Sequence, residues 1–360
     1  MVYVSAYIWS SQRPLRVDVA ANILPMPPVR RARLADVART AGVSTMTVAR
    51  ALREPDKVAP DTLRRVRAVI EATGYTPDLA ARGLASQRSG LVAAIVPLLT
   101  NSLIAEIVQG LTDALADRDL HLLLGVSGFD ANEEEALIRA FLSRRVDAFF
   151  LTGLVRTPGS ARMLRESGLP VVEGGNLTDR PIDMVVGYSN AMAAMHVTQY
   201  LIGRGYAPIG YIGAHRHDND RARDRRQGFN SAHRQMDRAV VEALCIDTDL
   251  DVAAGAQAMA RLLAQKKRPR AVFCSADAIA VGALFECQRQ GVAVPAQVAI
   301  AGFDDLDLAA QVVPALTTIR VLRYELGRRA GTLIGQRLTG ETVESCIVDV
   351  GFEFVPRASA

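Results

Sequence analysis

Residues 33 to 52 read RLADVARTAGVSTMTVARAL. Leu34, Val37, Ala38 and Ala41 fall at helical spacing, so one stripe of this segment is apolar and a helix is expected. Ala41-Gly42-Val43 follows at once, and Gly42 can take the positive φ that a tight turn between two helices requires. Ser44 then offers an N-cap oxygen, and Thr45 to Leu52 continue as a second helix with Val48 and Leu52 on its buried side. That leaves Thr45, Met46 and Thr47 at the outward start of the second helix and Arg50 one turn on. With Ser44 they can reach base edges and phosphates in a major groove. Beyond them Pro60 opens a third helix, with Leu63, Val66 and Ile70 at apolar spacing and Gly74 as terminator, although Ala59 is a poor cap. Residues 29 to 74 therefore read as a three-helix unit. By pattern alone it fits either a DNA-binding head of helix-turn-helix type or a small packing domain.

Charge favours the first reading. Residues 29 to 88 carry 12 basic and six acidic side chains, whereas residues 89 to 360 carry 28 and 31. A basic segment joined to a slightly acidic body has the electrostatic footprint of a nucleic-acid-binding module. The 360 residues are too many for one typical domain, and 49% hydrophobic with 22% charged residues is ordinary globular composition. No apolar run approaches the roughly 18 residues a membrane helix needs, so no membrane partner is expected. Residues 1 to 28 lack a continuous apolar stretch before a cleavage site and read as a disordered tail, which makes the cytoplasm the expected location. The four cysteines form no C-x-x-C pair, so buried thiols are expected rather than disulfides or a zinc site.

After Gly90 short apolar runs alternate with helical stretches. The runs are 91–99, 121–127, 146–153, 169–176 and 184–189, then 208–214, 240–246, 271–277, 298–305 and 316–321. Such alternation predicts parallel β-sheets covered by helices, an α/β body, and so many units predict two lobes dividing near residues 187 to 190. In open α/β sheets ligands bind beyond the carboxyl ends of the strands, so two facing sheets create a cleft. The post-strand residues are Asn101 and Ser102, Thr152 and Gly153, Glu173 and Asn176, Ser275 to Asp277, and Asp304 with Asp305. Hydroxyl, amide and carboxylate groups of this kind suit a polyhydroxylated ligand.

RLADVARTAGVSTMTVARAL together with GYTPDLAARGLASQRSG at 74–90 resembles the DNA-binding head and hinge of the lactose-repressor/galactose-repressor family of bacterial transcription regulators. The resemblance implies a hinge over residues 75 to 90 whose segment 77–85 becomes helical on operator DNA. Tyr75 and Asp78 belong to that contact region, and Leu84 is an apolar wedge for the minor groove. Ala49 departs from the family's usual serine, which removes one hydroxyl donor. For the body the resemblance implies the two-lobed fold of periplasmic sugar-binding proteins, crossed three times by the chain. One lobe is then 91–187 with about 322–344, the other 188–321 with about 345–360.

The resemblance also places Arg225, three residues before Gly228-Phe229, at the family's effector-binding arginine, and Asp304 at its effector-binding aspartate. PLLTNSLIAEI, FFLTG, PVVEGGNLTDRPIDMVVGYSN and PALTTIRVLRYELG look most like the gluconate-repressor branch. It implies a sugar-acid effector such as gluconate or a phosphogluconate, its carboxylate met by bidentate Arg225 and its hydroxyls by Asp304, Asn101 and Ser102, with Thr152, Glu173 and Ser275 completing the site. Ala276, Val321 and Asn176 depart from the residues common in the family, so a neutral sugar or another metabolite is the alternative effector. A homodimer on a near-palindromic double-stranded operator completes the expectation.

The remaining motifs are bland. His215-x-His217-Asp218 reads as a surface loop, Gly125-Val126-Ser127-Gly128 as a strand-end turn, and Gly203-Arg204-Gly205 follows a helix rather than a strand. Glu133-Glu134-Glu135 reads as a charged first helical turn favoured by the macrodipole, and Asp305 as a helix cap. No catalytic set emerges, so no enzyme, cofactor or metal is expected. A periplasmic-type sugar-binding protein is the competing class, and the N-terminal head argues against it.

Overall fold

The computed structural model describes residues 32–75, 88–99, 102–215, 217 and 219–360, in two compact units that divide after Arg82. The expected tail, Asp78, Leu84 and Asn101 lie outside the described residues.

The first unit holds helices Leu34–Ala41, Thr45–Arg53 and Pro60–Thr73. Gly42 ends the first helix at φ 65°, and Val43 N–H reaches back to the Ala38 carbonyl at 3.0 Å, which closes the turn. Ser44 Oγ accepts the Thr47 N–H at 3.1 Å and starts the second helix. Ala59 supplies no side-chain cap, and Pro60 at the first helical position makes one N–H redundant instead. Val37, Ala38, Ala41, Val48, Ala51 and Val66 form the buried centre, with Leu34, Leu52, Leu63 and Ile70 packed against it.

The second unit is α/β. Strands β1 (Leu91–Val96), β2 (His121–Val126), β3 (Ala148–Thr152), β4 (Val171–Gly174) and β5 (Met184–Gly187) lie in one parallel sheet in the order β5-β4-β3-β1-β2. Strands β6 (Ile209–Ala214), β7 (Cys245–Thr248), β8 (Ala271–Cys274) and β9 (Ala299–Ala301) form a second parallel sheet, β7-β6-β8-β9. Val92, Ala94, Phe150, Val172 and Val186 of the first sheet and Ile209, Tyr211, Phe273 and Ala299 of the second are fully or almost fully buried, as parallel strands covered on both faces require.

The chain crosses between the lobes after β5, after β10 (Thr318–Val321), and between β11 (Ile347–Asp349) and β12 (Phe352–Val355). The second crossing leads into helix Arg323–Thr339, which packs on helix Ser102–Ala116 of the first lobe. The third corrects the expected boundary at 345. Ile347 to Asp349 pair in parallel with Val185 to Gly187 and make β11 the sixth strand of the first sheet, because the edge of β5 offers backbone groups that need partners. Only from β12, antiparallel to β10, does the chain rejoin the second lobe. The final residues dock there, with Ser359 carbonyl accepting Ile300 N–H at 2.8 Å. Among the described residues no helix is long and apolar enough to cross a membrane.

Candidate functional site

In the head the second helix presents Ser44, Thr45, Met46 and Arg50 on its exposed face, Met46 at 69% exposure, while Val48 beneath them is fully buried. An exposed methionine at the start of such a helix can meet a thymine methyl in a major groove. Thr47 is half-buried, its hydroxyl 2.9 Å from Ser44 Oγ, so these two side chains brace each other at the helix start. Tyr75 is half-buried against the three-helix core.

In the body the facing lobes enclose a cavity lined by Thr152, Tyr188, Arg221, Arg225, Ser275 and Asp304, with apolar walls from Pro97, Leu98, Ile104, Ile107, Leu250 and Val321. Arg225 sits on helix Asp220–Gln235 and is held on every side. Its Nε–H donates to Asn190 Oδ1 at 2.9 Å, Nη1 to the Ser275 carbonyl at 2.6 Å and Nη2 to the Tyr188 hydroxyl at 3.1 Å. The guanidinium lies 3.7 Å over the Phe303 ring, and Nη2 is 3.4 Å from Asp304 Oδ1. Asp304 has φ 117° and donates its own N–H to the Ile319 carbonyl. Burial raises its carboxyl to about 6, against the lowering pull of Arg225 and Arg323, and its Oδ1 has no hydrogen-bond partner. Thr152 Oγ1 and Arg221 Nη1 are also buried without partners. Unmatched groups that converge on one cavity are what a polar ligand would satisfy.

Other expected contacts fall elsewhere. Ser275 lines the cavity, but its hydroxyl accepts the Ala214 N–H. Ser102 is exposed at the start of its helix, outside the lining. Glu173 is buried behind the cavity, accepting Ile182 N–H at 2.7 Å and pairing with Arg156 at 3.1 Å, so its carboxylate is committed to the scaffold. Asn176 spans the lobes, donating to Asp220 and Asp224. Asp277, pushed up to about 7 by burial, accepts Thr318 Oγ1 and the Leu306 N–H and so holds the loop that carries Asp304.

Two bland readings also change. Asp305 does not cap the following helix, whose N-cap is Leu306. It pairs with Arg320 and Arg357, both at 2.7 Å, because two guanidinium groups outcompete one backbone donor. Glu134 stands in the first helical turn as expected, but it is buried there 3.9 Å from Arg156, and burial raises its carboxyl to about 7. Arg156 also donates to the Gly153 carbonyl, so this cluster braces the turn after β3 at the cavity edge. Arg221 is a cavity residue that sequence reasoning missed. Its signal was the four-residue spacing to Arg225, which puts both on one helix face.

A profile of bacterial regulatory proteins of the lacI family matches residues 33–78, and one of periplasmic binding protein-like domains matches residues 198–360. The HTH-type transcriptional regulator GntR of Pseudomonas aeruginosa is 36% identical over 337 residues, covering 91% of this chain and 96% of that protein. The chain belongs to the LacI family of transcriptional regulators. Among solved structures, a LacI-family regulator from Silicibacter pomeroyi superposes with a TM-score of 0.85 at 30% identity, covering 91% of this chain and 99% of that one. Transcription regulator GntR from Chromobacterium violaceum gives 0.71 at 34% identity, covering 75% and 98%. In this LacI-family regulator the helix-turn-helix face lies in the first unit and the polar cavity in the periplasmic-binding-protein-like second unit.

Proposed function

We propose that this regulator is a repressor that binds a near-palindromic operator as a homodimer and is controlled by a sugar acid such as gluconate or a phosphogluconate. The observation that carries the reading is the inter-lobe cavity, where buried Arg225, half-buried Arg221, an Asp304 oxygen that accepts no hydrogen bond and an unpartnered Thr152 hydroxyl face one space. The similarity to proteins named GntR supports the same ligand class. Ligand that bridges the lobes stabilises one lobe arrangement, and two heads held by that arrangement either fit the two half-sites or miss them. A neutral sugar is the second reading, favoured by the pairing of Arg225 with Asp304, which leaves that arginine's charge already countered. The test is fluorescence anisotropy on DNA selected from a random pool by the purified protein, titrated with D-gluconate, 6-phosphogluconate and D-glucose. Release of DNA by an aldonate at concentrations where glucose is inert supports the proposal. Release by glucose alone replaces it with the second reading.

A further inference from the structure

Arg225 has little left to offer an anion. Bidentate capture of a carboxylate needs two parallel N–H groups along one edge of the guanidinium. Both such edges are engaged: Nε by Asn190, Nη1 by the Ser275 carbonyl, and Nη2 by the Tyr188 hydroxyl with Asp304 alongside. A ligand carboxylate placed there would have to displace these partners and face the Asp304 charge.

One turn earlier on the same helix face, Arg221 is in the opposite state. It lines the cavity, its Nη1 is buried without a hydrogen-bond partner, and it makes no ion pair among the described residues. Asp220 also faces the turn after β3, but its Oδ2 accepts Asn176 Nδ2 at 3.0 Å. The first lobe is shaped to admit the Arg221 side chain. Gly153 and Gly175 both stand at φ 93°, and a Cβ at Gly153 would lie 2.7 Å from Arg221 Nη1, one at Gly175 3.5 Å from its Cδ. Thr152 shares that corner, its methyl carbon 4.0 Å from the same Gly175 position and its hydroxyl unpartnered. Arg221 as a whole is half-buried, with its guanidinium carbon 5.9 Å over the Phe129 ring, but Nη1 is a buried charged donor without an acceptor, which an anionic group arriving with the ligand would supply.

We infer that the anionic end of the effector is met by Arg221, with Thr152 beside it, and that Arg225 and Asp304 take hydroxyls at the other pole. Arg221 is then the residue that sets the preference for a charged over a neutral ligand. The inference rests on the sugar-acid reading above.

Calorimetry on the full chain with D-gluconate and D-glucitol tests it, because glucitol keeps the carbon chain and replaces the carboxylate with a hydroxymethyl group. Wild type should prefer gluconate by about tenfold or more, the worth of one to two charge-assisted hydrogen bonds. In Arg221→Gln that preference should fall to near unity, with glucitol titration showing that the cleft still forms. Arg221→Lys should fall between, since a point charge replaces the planar fork. A preference that persists in Arg221→Gln overturns this inference alone and returns the carboxylate to Arg225. A wild type that binds both probes equally, or neither, removes the sugar-acid reading and the inference with it.

Discussion

The head and the inter-lobe cleft solve opposite problems. In the head Ser44, Thr45, Met46 and Arg50, the side chains proposed to touch DNA from the second helix, are exposed, and buried side chains around Val37, Val48 and Val66 hold that helix in place. In the cleft the two anchoring residues, Arg225 and Asp304, are themselves buried and held by partners far away in sequence: Arg225 by Tyr188, Asn190 and Ser275, and the Asp304 loop by Asp277 and Arg323. A surface reader tolerates substitution at its contacts but not beneath them. A buried reader tolerates it at neither.

The largest expected effect breaks the support of the head. Val48→Asp places an unpaired carboxylate in a centre of six small side chains, a cost of several kcal/mol that a unit of this size does not withstand. Operator affinity should fall more than about a hundredfold, while calorimetric binding of gluconate by the body persists. Parallel loss of gluconate binding would show that the two regions do not fold separately. Next is Arg225→Ala, which removes the donor to three fixed acceptors and should weaken gluconate and glucitol alike by about tenfold to a hundredfold. A loss confined to gluconate would shift the anion back to this arginine and blur the distinction from Arg221.

The same contrast explains what was legible in the sequence. Gly42 and Ser44 act on neighbours within five residues, and Val48 repeats a helical apolar spacing, so the local pattern alone placed them. The strands of the body announced themselves as apolar runs, and Arg225 and Asp304 stood out through family motifs. The three- and four-residue strands β11 and β12 are too short to show a period, and their pairing is decided by edges formed 162 and 31 to 37 residues earlier in the chain. Glu134 does start its helix, but nothing nearby in sequence reveals that Arg156 folds over it and buries it. Asp305 looked like a cap because its partners, Arg320 and Arg357, lie on elements that meet it only in the folded lobe. Long-range pairing, not composition, separates a solvated charge from a buried one.

The cleft should also respond to pH. Burial raises the Asp304 carboxyl from 3.8 to about 6 in the folded protein. The folded state thus holds this proton more tightly than the unfolded chain, so this group disfavours folding increasingly as pH rises through that interval, and by a constant amount above it. For the ligand the sign is opposite. Hydroxyl donors bond more strongly to the ionised carboxylate, which is mostly present at pH 7 and about one-tenth present at pH 5. Affinity for gluconate should therefore fall, by up to about tenfold, between those values, and Asp304→Asn should flatten the profile. A flat profile in the wild type would show that Asp304 does not accept from the ligand.

The smallest expected effect tests whether the head's exposed face does more than cap itself. Ser44 Oγ accepts the Thr47 N–H and touches the Thr47 hydroxyl, so Ser44→Ala should cost the head about 1 kcal/mol through loss of the cap. In thermal unfolding of the head that corresponds to a few degrees. Ser44→Asp restores an N-cap acceptor and adds a negative charge at the positive end of the helix, which should return the lost stability. On DNA the two substitutions separate. If Ser44 faces a phosphate, the aspartate is repelled there, and operator affinity should drop below that of Ser44→Ala although the head is more stable. Raising the salt concentration should narrow the gap between them, since the repulsion is screened while the cap is local. Equal operator affinity of Ser44→Asp and wild type at low salt would confine Ser44 to capping and leave recognition to Thr45, Met46 and Arg50.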